Sequence, residues 1–447
     1  MENDYLIKKK PFNALFIFAL PIIIGNFFQQ GYTMADSAIV GRYVSEGALA
    51  AVGASNSLTN IFICIAMGGG IGASVIVSQY FGAKDYTQMK TAVNTSLVSF
   101  FVISLLLGSF GLLFSKKIMI LLNTPADVLD MAVLYLNIYF LGLPFLFMYN
   151  ILSQMFNALG KSRIPLYFLI FSSVFNVWLD YVLVTSFDMG VAGVAWATLI
   201  AQGISAVMSF IVFIREMKKF ESGQTKVFDK SEMLDMTRVA LPSILQQSTV
   251  SIGMMLVQSV VNSFGSQALA GFSAAMRIEA ICVVPMNGIG AAISSFTAQN
   301  IGAEKKERVV KGYRSANWMV LMFAAVICVI LELFNTQIIS AFLGSDQTAT
   351  ALSTGTSYLA FMGWLFVLLG LKMAVGGLLR GAGDMKMFTI GNLVNLFIRV
   401  TLSMIFAPKI GISMIWMAVP IGWLVNGIIS YAEYRTGKWK NIHTAKA

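Results

Sequence analysis

Apolar runs long enough to cross a bilayer recur along the whole chain, and nothing between them is long enough to fold by itself. A span needs about 20 mainly apolar residues, because a helix advances about 1.5 Å per residue across a core about 30 Å thick. Twelve stretches qualify: 13–40, 48–80, 92–115, 131–156, 165–186, 191–214, 238–262, 268–301, 315–336, 351–379, 387–407 and 411–433. The longest polar interruption, Arg215 to Arg238, is too short for a domain. In hydrocarbon each backbone N–H and C=O needs a partner within its own segment, so these runs are helices. The predicted fold class is all-α and integral to the membrane, with twelve transmembrane helices.

Charge supports this reading. Only 12% of the 447 residues are charged, yet the net charge is +10. That balance suits nucleic acid in a soluble protein, but here the basic residues follow the positive-inside rule. With the amino terminus inside, inner segments hold 24 of the 31 Lys and Arg. The outer loops hold four (Arg42, Lys116, Lys117, Lys409), and the spans hold three: Arg277, Lys372 and Arg399. Both termini are therefore expected in the cytoplasm, with no nucleic-acid partner. The basic start before an apolar run imitates a signal peptide. The run is too long and no small-residue cleavage pattern follows, so it is read as the first span.

Catalytic and metal chemistry find little to work with. Cys64, Cys282 and Cys328 lie in apolar segments without paired spacing and read as small hydrophobes. The only histidine, His443, sits in the polar tail. No catalytic constellation appears, so the chain reads as no enzyme and without a cofactor. Gly160-Lys161-Ser162 imitates the end of a phosphate loop, but Met155 stands where its first glycine belongs, and a turn is the better reading. Gly68 to Ala73 imitates a dinucleotide fingerprint without a preceding strand, which points to close helix packing.

The chain repeats itself at an offset of about 220 residues. Ser78 to Lys84 corresponds to Ala298 to Glu304, Ala48-Leu49-Ala50 to Ala268-Leu269-Ala270, Leu20-Pro21 to Leu241-Pro242, and Gly70 to Ala73 to Gly288 to Ala291. The matches keep the same order in both halves. Six spans per repeat is even, so the halves insert in the same orientation. Such parallel repeats are related by a pseudo-two-fold axis along the membrane normal. The expected organisation is an N-lobe (1–214), a cytoplasmic linker (215–237) read as a solvated loop, and a C-lobe with tail (238–447).

Polar residues inside the spans are the candidate functional groups. Asp36 and Asp180 each sit in an apolar span, where a carboxylate costs roughly 2.5–3.5 kcal/mol even on a lenient scale. In the first span Asn26, Gln30, Thr33 and Asp36/Ser37 recur every three to four residues and share one face, flanked by Gln29 and Tyr32. In the fifth, Asn176 and Asp180 are four apart and stack. An amide beside a carboxyl donates to its ionised form and accepts from its protonated form. Pro21, fifteen residues before Asp36, removes a backbone hydrogen bond and is a candidate hinge. The second half has no acid at the position of Asp36, where Leu256 or Val257 stands, and Ser403 falls near that of Asp180. It carries Arg277, Glu279, Lys372 and Arg399 instead, read as structural or gating. Arg277 and Glu279, two apart, point to different sides, and Lys372 is placed to snorkel toward the inner leaflet.

These features resemble the multidrug and toxic compound extrusion (MATE) transporters over essentially the full length. The repeated Gln-x-x-Gly-Ala turns (Gln79/Gly82/Ala83 and Gln299/Gly302/Ala303) carry the likeness. So do Tyr32-Thr-Met-Ala-Asp36, Val40-Gly41-Arg42 and Asn176-x-x-x-Asp180. The chain is most similar to the branch related to DNA-damage-inducible protein F. That resemblance implies an N-lobe cation site made by Asp36, Asn150, Asn176, Asp180 and Thr198, with Tyr32 and Pro21 matching the family's tyrosine and bend. The coupling ion implied is a proton or sodium, the latter at Asp36, Asn150, Asp180 and Thr198. The branch with acids in the seventh and tenth spans fits poorly, since Lys372 stands in the tenth.

The expected function is a cation-coupled antiporter exporting organic, cationic or amphipathic compounds by alternating access. It would sit as a monomer among lipids of a bacterial cytoplasmic membrane. The alternative is a flippase for lipid-linked saccharides, which the basic second half favours and the acidic first half opposes.

Overall fold

The computed structural model describes residues 4–344 and 348–442, so His443 lies outside the described residues. Twelve helical stretches are long and apolar enough to cross a membrane, and no strand occurs among the described residues. After a single turn at Tyr5–Lys8 come α1 (Pro11–Ile39), α2 (Glu46–Ala83), α3 (Tyr86–Leu121), α4 (Ala126–Ala158), α5 (Arg163–Thr185) and α6 (Gly190–Met217). The second series is α7 (Lys230–Asn262), α8 (Ser266–Cys282), α9 (Val284–Gly302), α10 (Lys306–Leu343), α11 (Ala349–Ala382), α12 (Met385–Ile410) and α13 (Ser413–Thr436). The eighth expected span, 268–301, is two helices broken at Val283. Pro285 brings no N–H to the ladder there, and the first turn of a helix is where that loss costs least.

Packing divides the chain into two units. One is Ile24–Ile244, and the other is formed by the residues up to Ile23 and from Leu245 onward. Each division falls two residues after a proline inside a helix, Pro21 in α1 and Pro242 in α7. The first half of α1 therefore packs with the carboxy-terminal helices: Ala14, Leu15, Phe18, Ala19 and Ile23 share a core with Phe272, Met286 and Phe366. The first half of α7 packs on α2. A Cβ at Gly68 would stand 2.5 Å from Ile244 N, and one at Gly72 2.5 Å from Ala240 N. The glycine run is thus a helix-packing face, as expected, because only hydrogen at both positions lets the two backbones touch.

In each unit one helix is the hub. α4 packs against α2, α3 and α6, and α11 against α8, α9, α10 and α13. The duplication extends to backbone detail. Lys84 and Glu304 both take left-handed φ (61° and 58°), and the next N–H reaches back five residues in each, Asp85 to Tyr80 O at 3.1 Å and Lys305 to Asn300 O at 2.7 Å. Gly160 and Gly383 (φ 75° and 80°) close α4 and α11 in the same way, with Lys161 N on Phe156 O and Asp384 N on Leu379 O, each 2.8 Å. Gly160-Lys161-Ser162 is therefore a helix-ending turn.

Asp384, in the second of those turns, is 5% exposed, and its Oδ2 has no partner among the described residues. Burial first, and then Glu433, push its carboxyl from 3.8 up to about 6, against Lys438. A raised folded pKa means that the native state holds the proton more tightly than the unfolded chain does. The residue therefore costs nothing below about pH 3.8, and its penalty grows until about pH 6. Asp384→Asn should raise the melting midpoint at pH 7.5 by about 2 °C or more, and leave it unchanged at pH 4. Equal melting of parent and variant at pH 7.5 would count against it.

The segment after α6 is largely exposed, as a solvated loop should be, and it is also held in place. It is strapped along α3, where Thr87, Thr91 and Thr95, one turn apart, accept from Gly223 N (3.0 Å), Lys226 N (3.3 Å) and Asp229 N (3.0 Å). Lys90 Nζ donates to Phe220 O at 2.7 Å, and Asn94 Nδ2 to Lys226 O at 3.1 Å. Backbone groups find partners more readily on a row of hydroxyls than composition alone reveals. Replacing the three threonines by valine should release the strap and speed trypsin cleavage at Lys218, Lys219 and Lys226 about tenfold, at about 0.5 kcal/mol for each of these partly exposed bonds. An unchanged digestion rate would mean that Phe220, edge-on to Phe81 at 5.8 Å, holds it alone.

Candidate functional site

The second half of α1 brings Tyr32 and Asp36 beside α5, which carries Asn176 and Asp180, and α6, which carries Thr198. All lie in the Ile24–Ile244 unit. Asp180 is fully buried, Asn176 is 2% exposed, and Asp36 is half-buried with its Oδ1 enclosed. The two carboxyls face each other closely enough to share a hydrogen bond when one carries a proton. As carboxylates both only accept, and then Asp36 Oδ1 and both oxygens of Asp180 have no donor among the described residues. No Lys or Arg nitrogen among the described residues lies within 4.0 Å of either acid.

Asn176 Nδ2 donates to Thr198 Oγ1 at 3.4 Å, and Thr198 Oγ1 donates to Val194 O at 3.1 Å. Asn176 Oδ1 is buried without a partner among the described residues. Tyr32 meets Thr198 and feels the charge of both acids. Asn150 Nδ2 donates to Leu146 O of its own helix at 2.8 Å. Two hydroxyls of the first-span stripe are satisfied locally: Thr33 Oγ1 donates to Gln29 O and Ser37 Oγ to Thr33 O, both at 2.9 Å.

Sequence reading missed three residues here, Tyr135, Tyr139 and Gln202. Tyr135 on α4 feels the charges of Asp36 and Asp180, and with Tyr139, Thr198 and Gln202 it lines a cavity of about 10 Å³, room for one water. The available signal was two i, i+4 pairs in apolar spans, Tyr135/Tyr139 and Thr198/Gln202.

Among the described residues, Arg277, Glu279, Lys372 and Arg399 of the other unit form no matching acid pair. Glu279 accepts a hydrogen bond from Tyr358 Oη and feels the charge of Arg399, whereas Arg277 is exposed, so the two diverge as their spacing requires. Lys372 does not snorkel to the surface. It is 7% exposed and, with Arg380, Gln246, Asn392 and Asn426, lines a cavity of about 10 Å³, because α11 is the hub and is covered on every side.

A duplicated all-helical membrane fold with a buried acid pair in one unit belongs to a class of membrane transporters. More particularly, the chain belongs to the MatE family, whose sequence profile matches residues 21–182 and 242–405, one block in each half. It is 29% identical over 428 residues to the "Probable multidrug resistance protein YpnP" of Bacillus subtilis, covering 95% of each chain. It is 24% identical over 396 residues to the "Multidrug export protein MepA" of Staphylococcus aureus (strain N315), covering 87% of this chain and 86% of that one. A solved structure described as an outward-facing conformation of a multidrug resistance MATE family transporter matches the fold with a TM-score of 0.91, at 22% identity over 99% of both chains.

Proposed function

We propose that this chain is a cation-coupled antiporter that exports organic compounds across a bacterial cytoplasmic membrane by alternating access, with both termini inside. The observation that carries this reading is the Asp36–Asp180 pair, one acid half-buried and the other fully buried, beside neutral amides and hydroxyls with no basic partner among the described residues. Two such carboxylates repel strongly in a low dielectric; at 4 Å and an effective dielectric of 20 the term is about 4 kcal/mol. A proton or a sodium ion relieves that repulsion, and so does a cationic substrate, so ion and substrate compete for one charge. Asn176, Thr198 and Tyr32 solvate either state, and Asn150 joins them when its amide leaves Leu146. Pro21, two residues before the unit boundary in α1, is the hinge of this scheme. The family and the names of its relatives support export of small molecules.

Reconstituted vesicles decide it. An imposed proton or sodium gradient should drive uptake of a cationic dye into inside-out vesicles, and a gradient of the other ion should not. Dye movement indifferent to both gradients would refute coupling. Flipping of a lipid-linked pyrophosphate without any dye transport would replace the reading with the flippase.

A further inference from the structure

We propose that the carboxy-terminal unit holds a second binding site, of opposite polarity, which takes a small amphipathic organic anion. Its cavity lies between α7, α8 and α12, holds about 210 Å³, and is lined by Met254, Val257, Phe272, Ser273, Met276 and Arg399. A cavity of ~150 Å³ with apolar walls is enough to bind benzene, so this one accepts a single substituted ring. Its walls are one aromatic, one valine and two methionines, whose unbranched thioethers adapt to varied shapes. One permanent charge faces in, the Arg399 guanidinium.

That charge has no carboxylate in contact among the described residues. Arg399 Nε is buried with no acceptor, and no carboxylate oxygen among the described residues lies within 4.0 Å of the guanidinium. Glu279 acts on it through space only, its carboxylate being engaged by Tyr358 Oη, which also approaches Met276 Sδ at 3.2 Å. Neither Tyr358 nor Glu279 lines the cavity. Arg399 lies against α7 at Gly253, where an added Cβ would stand 3.9 Å from Arg399 Cδ, an ordinary contact, and 3.1 Å from Leu396. A guanidinium cannot shed its proton, and its fork matches a carboxylate or sulfonate. An anion with an apolar ring satisfies the guanidinium and the apolar walls together. The site is independent of the Asp36–Asp180 reading, since every residue lining it belongs to the other unit.

The test uses the purified full chain in lipid nanodiscs, titrated calorimetrically with benzenesulfonate and with its cationic counterpart, benzyltrimethylammonium. Parent protein should bind the sulfonate. Arg399→Gln should weaken it at least tenfold, and Met276→Trp, which fills the cavity and keeps the charge, should weaken it equally. Asp36→Asn should leave it unchanged. The cation should show no dependence on Arg399 or Met276. The proposal falls if the parent does not bind the sulfonate, or if Met276→Trp binds it as the parent does. It falls too if binding survives Arg399→Gln, or if the cation competes for the same cavity. If Arg399→Gln does not fold, Met276→Trp carries the decision alone.

Discussion

Asp36→Asn and Asp180→Asn are each expected to abolish gradient-driven export, with transport down at least about tenfold and the protein still folded in the membrane. Asparagine keeps the size and the hydrogen-bonding oxygen of aspartate but carries no charge. At Asp180, fully buried with two unpartnered oxygens, the amide should even ease packing. Loss of transport with equal or higher melting temperature is thus the signature of a coupling residue. A structural acid would lose both together. The measurement is dye efflux from vesicles under a proton or sodium gradient, normalised to protein content. Undiminished efflux by both variants would remove the central claim. Tyr135→Phe is the milder companion: it deletes a hydroxyl that senses both acids and should lower the rate without ending coupling.

Gly72→Leu is expected to be strongly destabilising, costing about 3 kcal/mol or more. The contact it breaks is backbone to backbone, 2.5 Å from a built Cβ to Ala240 N, so no side-chain rotation can make room. The first half of α7 would have to leave α2, pulling on the Tyr80–Glu232 hydrogen bond of 2.7 Å. Thermal melting in detergent should fall by several degrees, and yield should drop. Gly376→Ala is the control. Its Cβ would meet only the Phe388 ring, at 3.5 Å and beyond, an ordinary contact, so its melting should stay near the parent's.

Much of this molecule was legible in the order of its residues, because a bilayer leaves a chain few choices. Backbone groups unsatisfied by lipid force helices, the period of the apolar runs gives their number, and the recurrence of Gln79/Gly82/Ala83 at Gln299/Gly302/Ala303 exposes the duplication. Asp36 and Asp180 stood out individually because charge in hydrocarbon is costly and therefore rare. Their meeting was a matter of tertiary structure, since α1 and α5 are joined through three intervening helices whose crossing positions no local pattern encodes. The same holds for the exchange of first half-helices between the units, which depends on where a glycine face meets an isoleucine. It holds for the threonine row that captures the strap. It holds for Arg399, legible as a charge in a span, whose cavity and whose Nε, unpartnered among the described residues, are set by the packing of α7, α8 and α12 while Tyr358 engages Glu279. Local sequence determines which groups must be buried; three-dimensional packing decides which of them are left facing one another.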